Sequence, residues 1–302
     1  SLEMKTIPLN DIDLNDRRFC ISYPLEDEAL TESIREIGIV QPALLLNASP
    51  LIVITGFRRL ASAKKLGLAN IPAMIKKVRA DEALLLSIHD NLGRGLNTVE
   101  KAYALEKMAG AGFPRQKIFG VMALLSLKPH EKVLGSFIAI ANEGRPLQDL
   151  IVRRGASMKS IEYLLKFDAR EREGIISLLS PLHITDSLLR EILEMFILMK
   201  IKKGAVDLRG LRGASDGRDL KARLKKKNYP ILSSMEKKFL AMKQRCALPP
   251  HVDIKVDPFF EKEYIDILLK IKSEKDVRAA MEKLKAILED GHIRSILELT
   301  QG

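Results

Sequence analysis

An apolar run, Leu51 to Ile54, stops at Gly56, and Phe57, Arg58 and Arg59 then open a helical stretch that closes at Gly67. A helix start offers free N–H groups and the positive end of the macrodipole, a good seat for phosphate. Gly56 would let the backbone come close, and the two arginines would add charge and forked donors. The G-x-x-x-x-G-K-[ST] spacing of a Walker A loop is absent. On the residues alone, a surface helix with two basic side chains explains the stretch equally well.

A second group follows at His89, Asp90, Asn91 and Arg94. A carboxylate beside an amide suits Mg²⁺, which prefers hard oxygens completed by substrate phosphates. Arg94 could meet a phosphate, and His89 could act as a base. A helix end with a polar cap accounts for the same residues.

The elements that must position these groups are of two kinds. Residues 1–95 read as α/β. A strand is expected at Thr6–Leu9, a helix at Leu30–Ile37, and a hairpin of Ala43–Leu46 and Leu51–Ile54 around Asn47–Pro50. A further strand is expected at Ile71–Ile75, and a helix capped by Asp81. Residues 96–199 read as all-α, punctuated by Gly112, Pro114, Pro129, Gly144, Pro146, Gly155 and Pro181. Gly204, Gly210, Gly213 and Gly217 mark a flexible stretch within 200–248, which reads as a basic glycine-containing connector. Residues 249–302 read as a small α+β module of pattern β-β-α, with strands near His251–Val256 and Glu263–Ile271 and a helix over Glu274–Leu288.

Composition narrows the class. The chain has 302 residues, 46% hydrophobic and 29% charged, which excludes wholesale disorder and a small disulfide-stapled fold. Its two cysteines, Cys20 and Cys246, form no thiolate zinc pattern. No apolar run reaches the length of a membrane span and no signal-peptide pattern opens the sequence, so a cytoplasmic, nucleoid-associated protein without a membrane partner is expected. The net charge of +11 is concentrated in residues 200–245, which hold fifteen basic against four acidic side chains. Such density suits a polyanion such as nucleic acid, and it equally suits a solvated helix face.

Taken together, the two groups resemble the ParB family of DNA-partition proteins. There a G-E-R-R box opens a helix and an E-N-L-Q-R box follows about thirty residues later; here these are Gly56 to Arg59 and Asp90 to Arg94. Ser33–Ile34, Gly38, Gln41–Pro42, Gly67, Ile71–Ala73 and Leu96–Glu100 are further landmarks. The resemblance implies a ParB/sulfiredoxin-like N-terminal domain, then a helix-turn-helix domain, and a protein that binds CTP with Mg²⁺ to close a dimeric clamp on double-stranded DNA. By position, Gly56, Arg58 and Arg59 would cradle the triphosphate, Gln41 and Pro42 would begin the strand lining the pocket, and Arg94 would face phosphate. Asn91 and Asp90 would hold the metal, with Asp90 in the place of the catalytic glutamate. Arg58→Ala is expected to abolish nucleotide binding and spare the fold, as an exposed charge would.

Three departures stand out: Phe57 replaces the glutamate of the first box, Gly93 a glutamine of the second, and Leu46 an arginine common after the Gln-Pro strand. A shorter Asp90 weakens water positioning for a slow CTPase. Alternatives are therefore a ParB-like nuclease or phosphotransfer enzyme, for which His89 is the candidate base, and a DNA-binding protein that has lost nucleotide dependence. Cys20 precedes the first helix and does not suit a sulfiredoxin role.

For DNA reading, Pro114–Val121 would be the first helix, with Arg115 and Lys117, and the second would open near Leu127 with Lys128, His130 and Lys132. Arg153, Arg154 and Lys159 extend the basic surface. A plain helical bundle is the alternative. A homodimer through the strands and helix after Pro249 is expected, and no basic peptide precedes Met4 to support a ParA-type ATPase as partner.

Overall fold

The structure, a computed structural model, describes residues 3–301 and divides into two compact units, residues 1–162 and 163–302. The first is built on a five-stranded mixed sheet. Its elements are β1 (Met4–Pro8), β2 (Ile12–Asp13), α1 (Glu28–Ile37), β3 (Ala43–Leu46), β4 (Leu51–Thr55), α2 (Phe57–Lys65), β5 (Asn70–Lys76) and α3 (Ala80–Leu92). The strand order is β1-β5-β3-β4-β2. The expected hairpin is the antiparallel pair β3/β4, whereas β3 and β5 run parallel, joined through α2 as a parallel pair requires. Leu45, Val53, Ile54, Leu60, Ile71 and Ile88 are buried. The short β2, which pairs with β4, has too few residues to show a period and was invisible in the sequence.

Gly56 is the hinge between sheet and site. It sits in the left-handed region (φ +96°), where a Cβ would lie 3.1 Å from the Ala43 side chain and 3.3 Å from its Cα. Only a residue without a side chain lets α2 leave β4 this close to β3.

Four helices of the same unit follow: α4 (Thr98–Gly110), α5 (Arg115–Leu124), α6 (Glu131–Ala141) and α7 (Arg145–Arg154). Asn97 and Glu100 form a capping box at the start of α4. His130 caps α6, its Nδ1 accepting from the Lys132 N–H at 3.1 Å. The boundary between the units lies within α8 (Met158–Leu164), inside the helical stretch 96–199.

The second unit contains α9 (Ala169–Leu179), α10 (Asp186–Lys203), α11 (Gly217–Asn228), α12 (Pro230–Arg245), β6 (Val252–Lys255), β7 (Asp266–Leu269), α13 (Glu274–Glu289) and α14 (His292–Thr300). The basic segment 200–248 is helical over most of its length, and its glycines lie in the irregular stretch 204–216 and at the start of α11. Leu220 and Leu224 anchor α11 in the core, a stripe diluted in the sequence by its lysines. Many of those cations are paired: Lys200 with Glu171, Lys221 with Glu191, Lys225 with Glu236, Lys227 and Arg209 with Asp207, and Arg223 with Asp219. Of the acids in these pairs only Glu171 and Glu191 lie outside 200–245, so most of the segment's net charge is left standing. The C-terminal elements follow the β-β-α expectation with one further helix, α14.

Gly56→Ala should destabilise the first unit by about 1–3 kcal/mol, the range for forcing a side chain into a disfavoured backbone region. Urea unfolding of the variant beside the parent chain would measure it.

Candidate functional site

The centre of the site is a residue outside both arginine-bearing groups. Glu100, in the first turn of α4, is 1% exposed, and five donors converge on its carboxylate. Arg58 Nη2 donates to Oε1 at 2.9 Å, and Arg94 donates through Nη2 to Oε1 at 2.7 Å and through Nη1 to Oε2 at 3.0 Å. The Tyr23 and Asn97 backbone N–H groups complete the shell at 3.1 Å each. A buried carboxylate persists only when paired and hydrogen-bonded to this degree.

Arg58 is therefore not the free helix-start charge expected from the sequence. Its guanidinium also donates to the carbonyls of Pro24 (3.0 Å) and Tyr23 (3.3 Å), and its side chain is half-buried. The expectation that Arg58→Ala would spare the fold is overturned, because truncation strips a partner from a buried anion.

Arg59 points the other way. It donates to the backbone carbonyls of Gln41 and Pro42, the latter at 2.8 Å, and thereby ties the residues before β3 to the start of α2. Burial pulls its pKa down, and the charge of Asp90 opposes that shift. Asp90 is exposed at the end of α3, next to Asn91, whose Oδ1 accepts from Arg94 Nε at 2.8 Å. The structure thus gathers Gln41, Pro42, Gly56, Arg58, Arg59, Asp90, Asn91 and Arg94 around the starts of α2 and α4 and the end of α3.

Among the described residues, no group of three or more His, Cys, Asp or Glu side chains is arranged to hold a metal. Asp90 and Asn91 offer two hard oxygens. That donor set fits a Mg²⁺ that arrives with phosphates and keeps several waters, rather than one caged by protein. His89 is exposed beside them. Cys20 is buried, and burial pushes its thiol pKa up, so it is not an activated nucleophile.

Phe57 is buried, with the Arg17 guanidinium 5.9 Å above its ring. Leu46 is the last residue of β3 and Gly93 caps the end of α3. On the helical side, Lys117, Lys128, His130, Lys132, Arg153 and Lys159 are exposed, Arg154 is half-buried, and Arg115 is exposed and ion-paired with Glu131 at 3.0 Å. Lys128, His130 and Lys132 cluster at the start of α6.

Comparison with known proteins identifies the sheet-bearing region. Residues 1–92 match the ParB N-terminal domain. This N-terminal region belongs to the ParB family. The chain is 27% identical over 167 residues to a probable chromosome-partitioning protein ParB of Neisseria meningitidis, covering 53% of this chain and 57% of that one. It is 36% identical over 146 residues to a probable plasmid-partitioning protein ParB of Thermus thermophilus, covering 46% and 43%. The chain thus spans about half the length of the ParB relatives it matches. Among solved structures, it is similar to a C-terminally truncated ParB of Caulobacter crescentus complexed with CTP-gamma-S (20% identity, TM-score 0.28, 64% of this chain and 92% of that one). The same protein complexed to the centromeric parS site matches at 16% identity and TM-score 0.34, over 74% and 99%.

Within the ParB landmarks, Glu100 is the functional residue that sequence reasoning passed over. It was visible as the last residue of the Leu96–Glu100 cap, where a capping box alone explains an acidic side chain. That two arginines converge on it is a long-range fact.

Glu100→Gln should cost about 3 kcal/mol, the lower end for breaking a buried pair, because Arg58 and Arg94 retain some water. Arg58→Ala should lower the urea midpoint as well, by a smaller amount, since Arg94 still holds the carboxylate.

Proposed function

We propose that the chain is a ParB-like partition protein that binds a nucleoside triphosphate, CTP, with Mg²⁺ at the arginine site and duplex DNA through α5 and α6. The observation that carries this reading is the gathering of Arg58, Arg59 and Arg94 beside the glycine turn of a ParB-family domain. Gly56 keeps the start of α2 open, so its N–H groups can face phosphate oxygens. Arg59, whose guanidinium lies beside Gly56, and Arg94 would be forked donors to the phosphates, and Asp90 with Asn91 would share a Mg²⁺ with them. The metal would neutralise phosphate charge; Asp90 is the group placed to orient a water. Gln41 and Pro42, fixed by Arg59, form the adjoining wall.

For DNA, α5 and α6 would form the helix-turn-helix pair, with α6 as the reading helix, although the connection over 125–130 is longer than the usual tight turn. Lys128, His130 and Lys132 would meet phosphate or base edges, and Arg115, Lys117, Arg153, Arg154 and Lys159 would flank them. The domains proposed are 1–95 for nucleotide, 96–199 for DNA, 200–248 as a basic segment and 249–302 for self-association. In the last, β7 is exposed along its whole length, and Ile267, Leu269, Val277, Met281 and Leu288 leave apolar surface that a second copy would cover, giving a homodimer.

Titration calorimetry of the full chain with CTP and Mg²⁺, beside ATP and GTP, tests the nucleotide reading. Saturable binding selective for CTP is expected, with Arg59→Ala weakening it by about 10-fold or more, as loss of a charge-assisted contact implies. A folded parent chain that binds DNA and no nucleotide would favour a ParB-derived scaffold without nucleotide dependence. For DNA, Lys128→Ala and Lys132→Ala should each reduce the salt slope of duplex affinity by about 1.

A further inference from the structure

One residue joins the arginine site to the helices beyond it. The backbone of Tyr23 lies in the Glu100 cluster: its N–H donates to Glu100, and its carbonyl accepts from Arg58 Nη2 at 3.3 Å and Asn97 Nδ2 at 2.7 Å. Its side chain leaves the site altogether. The hydroxyl donates to Asp149 Oδ1 on α7 at 2.6 Å, and the ring packs edge-on against Tyr103 of α4, with centroids 5.9 Å apart.

A parallel contact lies beside it. The Tyr103 hydroxyl donates to Gln148 Oε1 at 2.6 Å, one residue before Asp149. Gln148 is buried, and its amide donates to the carbonyls of Ile140 (3.2 Å), Ala141 (3.3 Å) and Glu143 (3.0 Å), at the C-terminal end of α6. Two adjacent α7 residues thus receive one tyrosine hydroxyl each, and the first of them holds the end of α6. A cavity of about 370 Å³ lined by Tyr23, Tyr103, Asn142, Arg145 and Asp149 adjoins the pair and leaves room for α7 to shift.

We propose that Tyr23 is a positioning residue that couples occupancy of the arginine site to the placement of α6. The inference rests on the nucleotide and DNA reading above. Its physical basis is competition for donors. Phosphate oxygens recruiting Arg58 would take the same N–H groups that now serve the carbonyls of Tyr23 and Pro24 and the Glu100 carboxylate. A change in those hydrogen bonds moves the Tyr23 backbone, and the hydroxyl carries the displacement to α7. Linkage makes the effect reciprocal, so DNA held by α6 alters nucleotide affinity by the same factor that nucleotide alters DNA affinity.

The test uses the full chain, CTP with Mg²⁺, and a duplex that the chain itself selects from a random-sequence pool. The CTP dissociation constant is measured with and without that duplex. In the parent chain the two values should differ by about 5-fold or more, the lower end of ordinary coupling. Tyr23→Phe keeps the ring and removes only the hydroxyl, so CTP affinity without duplex should stay within about 3-fold while the duplex effect falls to within about 2-fold. Asp149→Ala should do the same, and the double variant should lose nothing further. A Tyr23→Phe protein with lowered thermal stability and an unchanged duplex effect would mean a merely structural contact and overturn the proposal. A parent chain that binds no CTP would overturn the nucleotide reading itself, and the coupling with it.

Discussion

A carboxylate removed from water dictates much of the first unit. Glu100 can hold its buried position only because two guanidinium groups and two backbone N–H groups surround its carboxyl group. Those partners come from different parts of the chain: the loop before α1, the start of α2, the end of α3 and the cap of α4. Satisfying one anion therefore fixes where four segments meet, and it places Arg58 and Arg94 side by side. The site and the junction between sheet and helices are one arrangement, so a change at either is felt at both.

Much of this was legible in the sequence, for physical reasons that differ by element. The β3/β4 hairpin carries its own turn chemistry between two apolar runs, and Gly56 marks a backbone conformation that side chains disfavour. The α6 start is marked by Pro129 and a capping His130. What escaped was non-local. Nothing near Glu100 in sequence says that Arg58 will reach it, and nothing near Tyr23 says that its hydroxyl meets Asp149. The charge run at 200–245 is also only partly described by its own composition, because Glu171 and Glu191, which pair with Lys200 and Lys221, lie outside it. Periodicity was also faint in α11, where Leu220 and Leu224 are the only large apolar side chains of a helix rich in lysine and arginine.

The departures from the ParB boxes acquire a structural meaning. Phe57 occupies a core position beneath Arg17, so the first box here spends its second residue on packing. Asp90 remains exposed near Arg59, at the edge of the cluster rather than within it.

Helix α2 also begins with charges of the wrong sign. Its first turn holds Arg58 and Arg59 and no acidic residue, and its glycine cap provides no side-chain acceptor. Cations at the positive end of a helix dipole are disfavoured by about 0.3–1 kcal/mol each at exposed positions. The arginines reduce this by reaching to carbonyl oxygens, but the dipole itself remains uncompensated. The helix start is thus electrostatically frustrated. An anion seated there relieves the repulsion as well as adding contacts, so occupancy and folding of this unit share a single source of free energy.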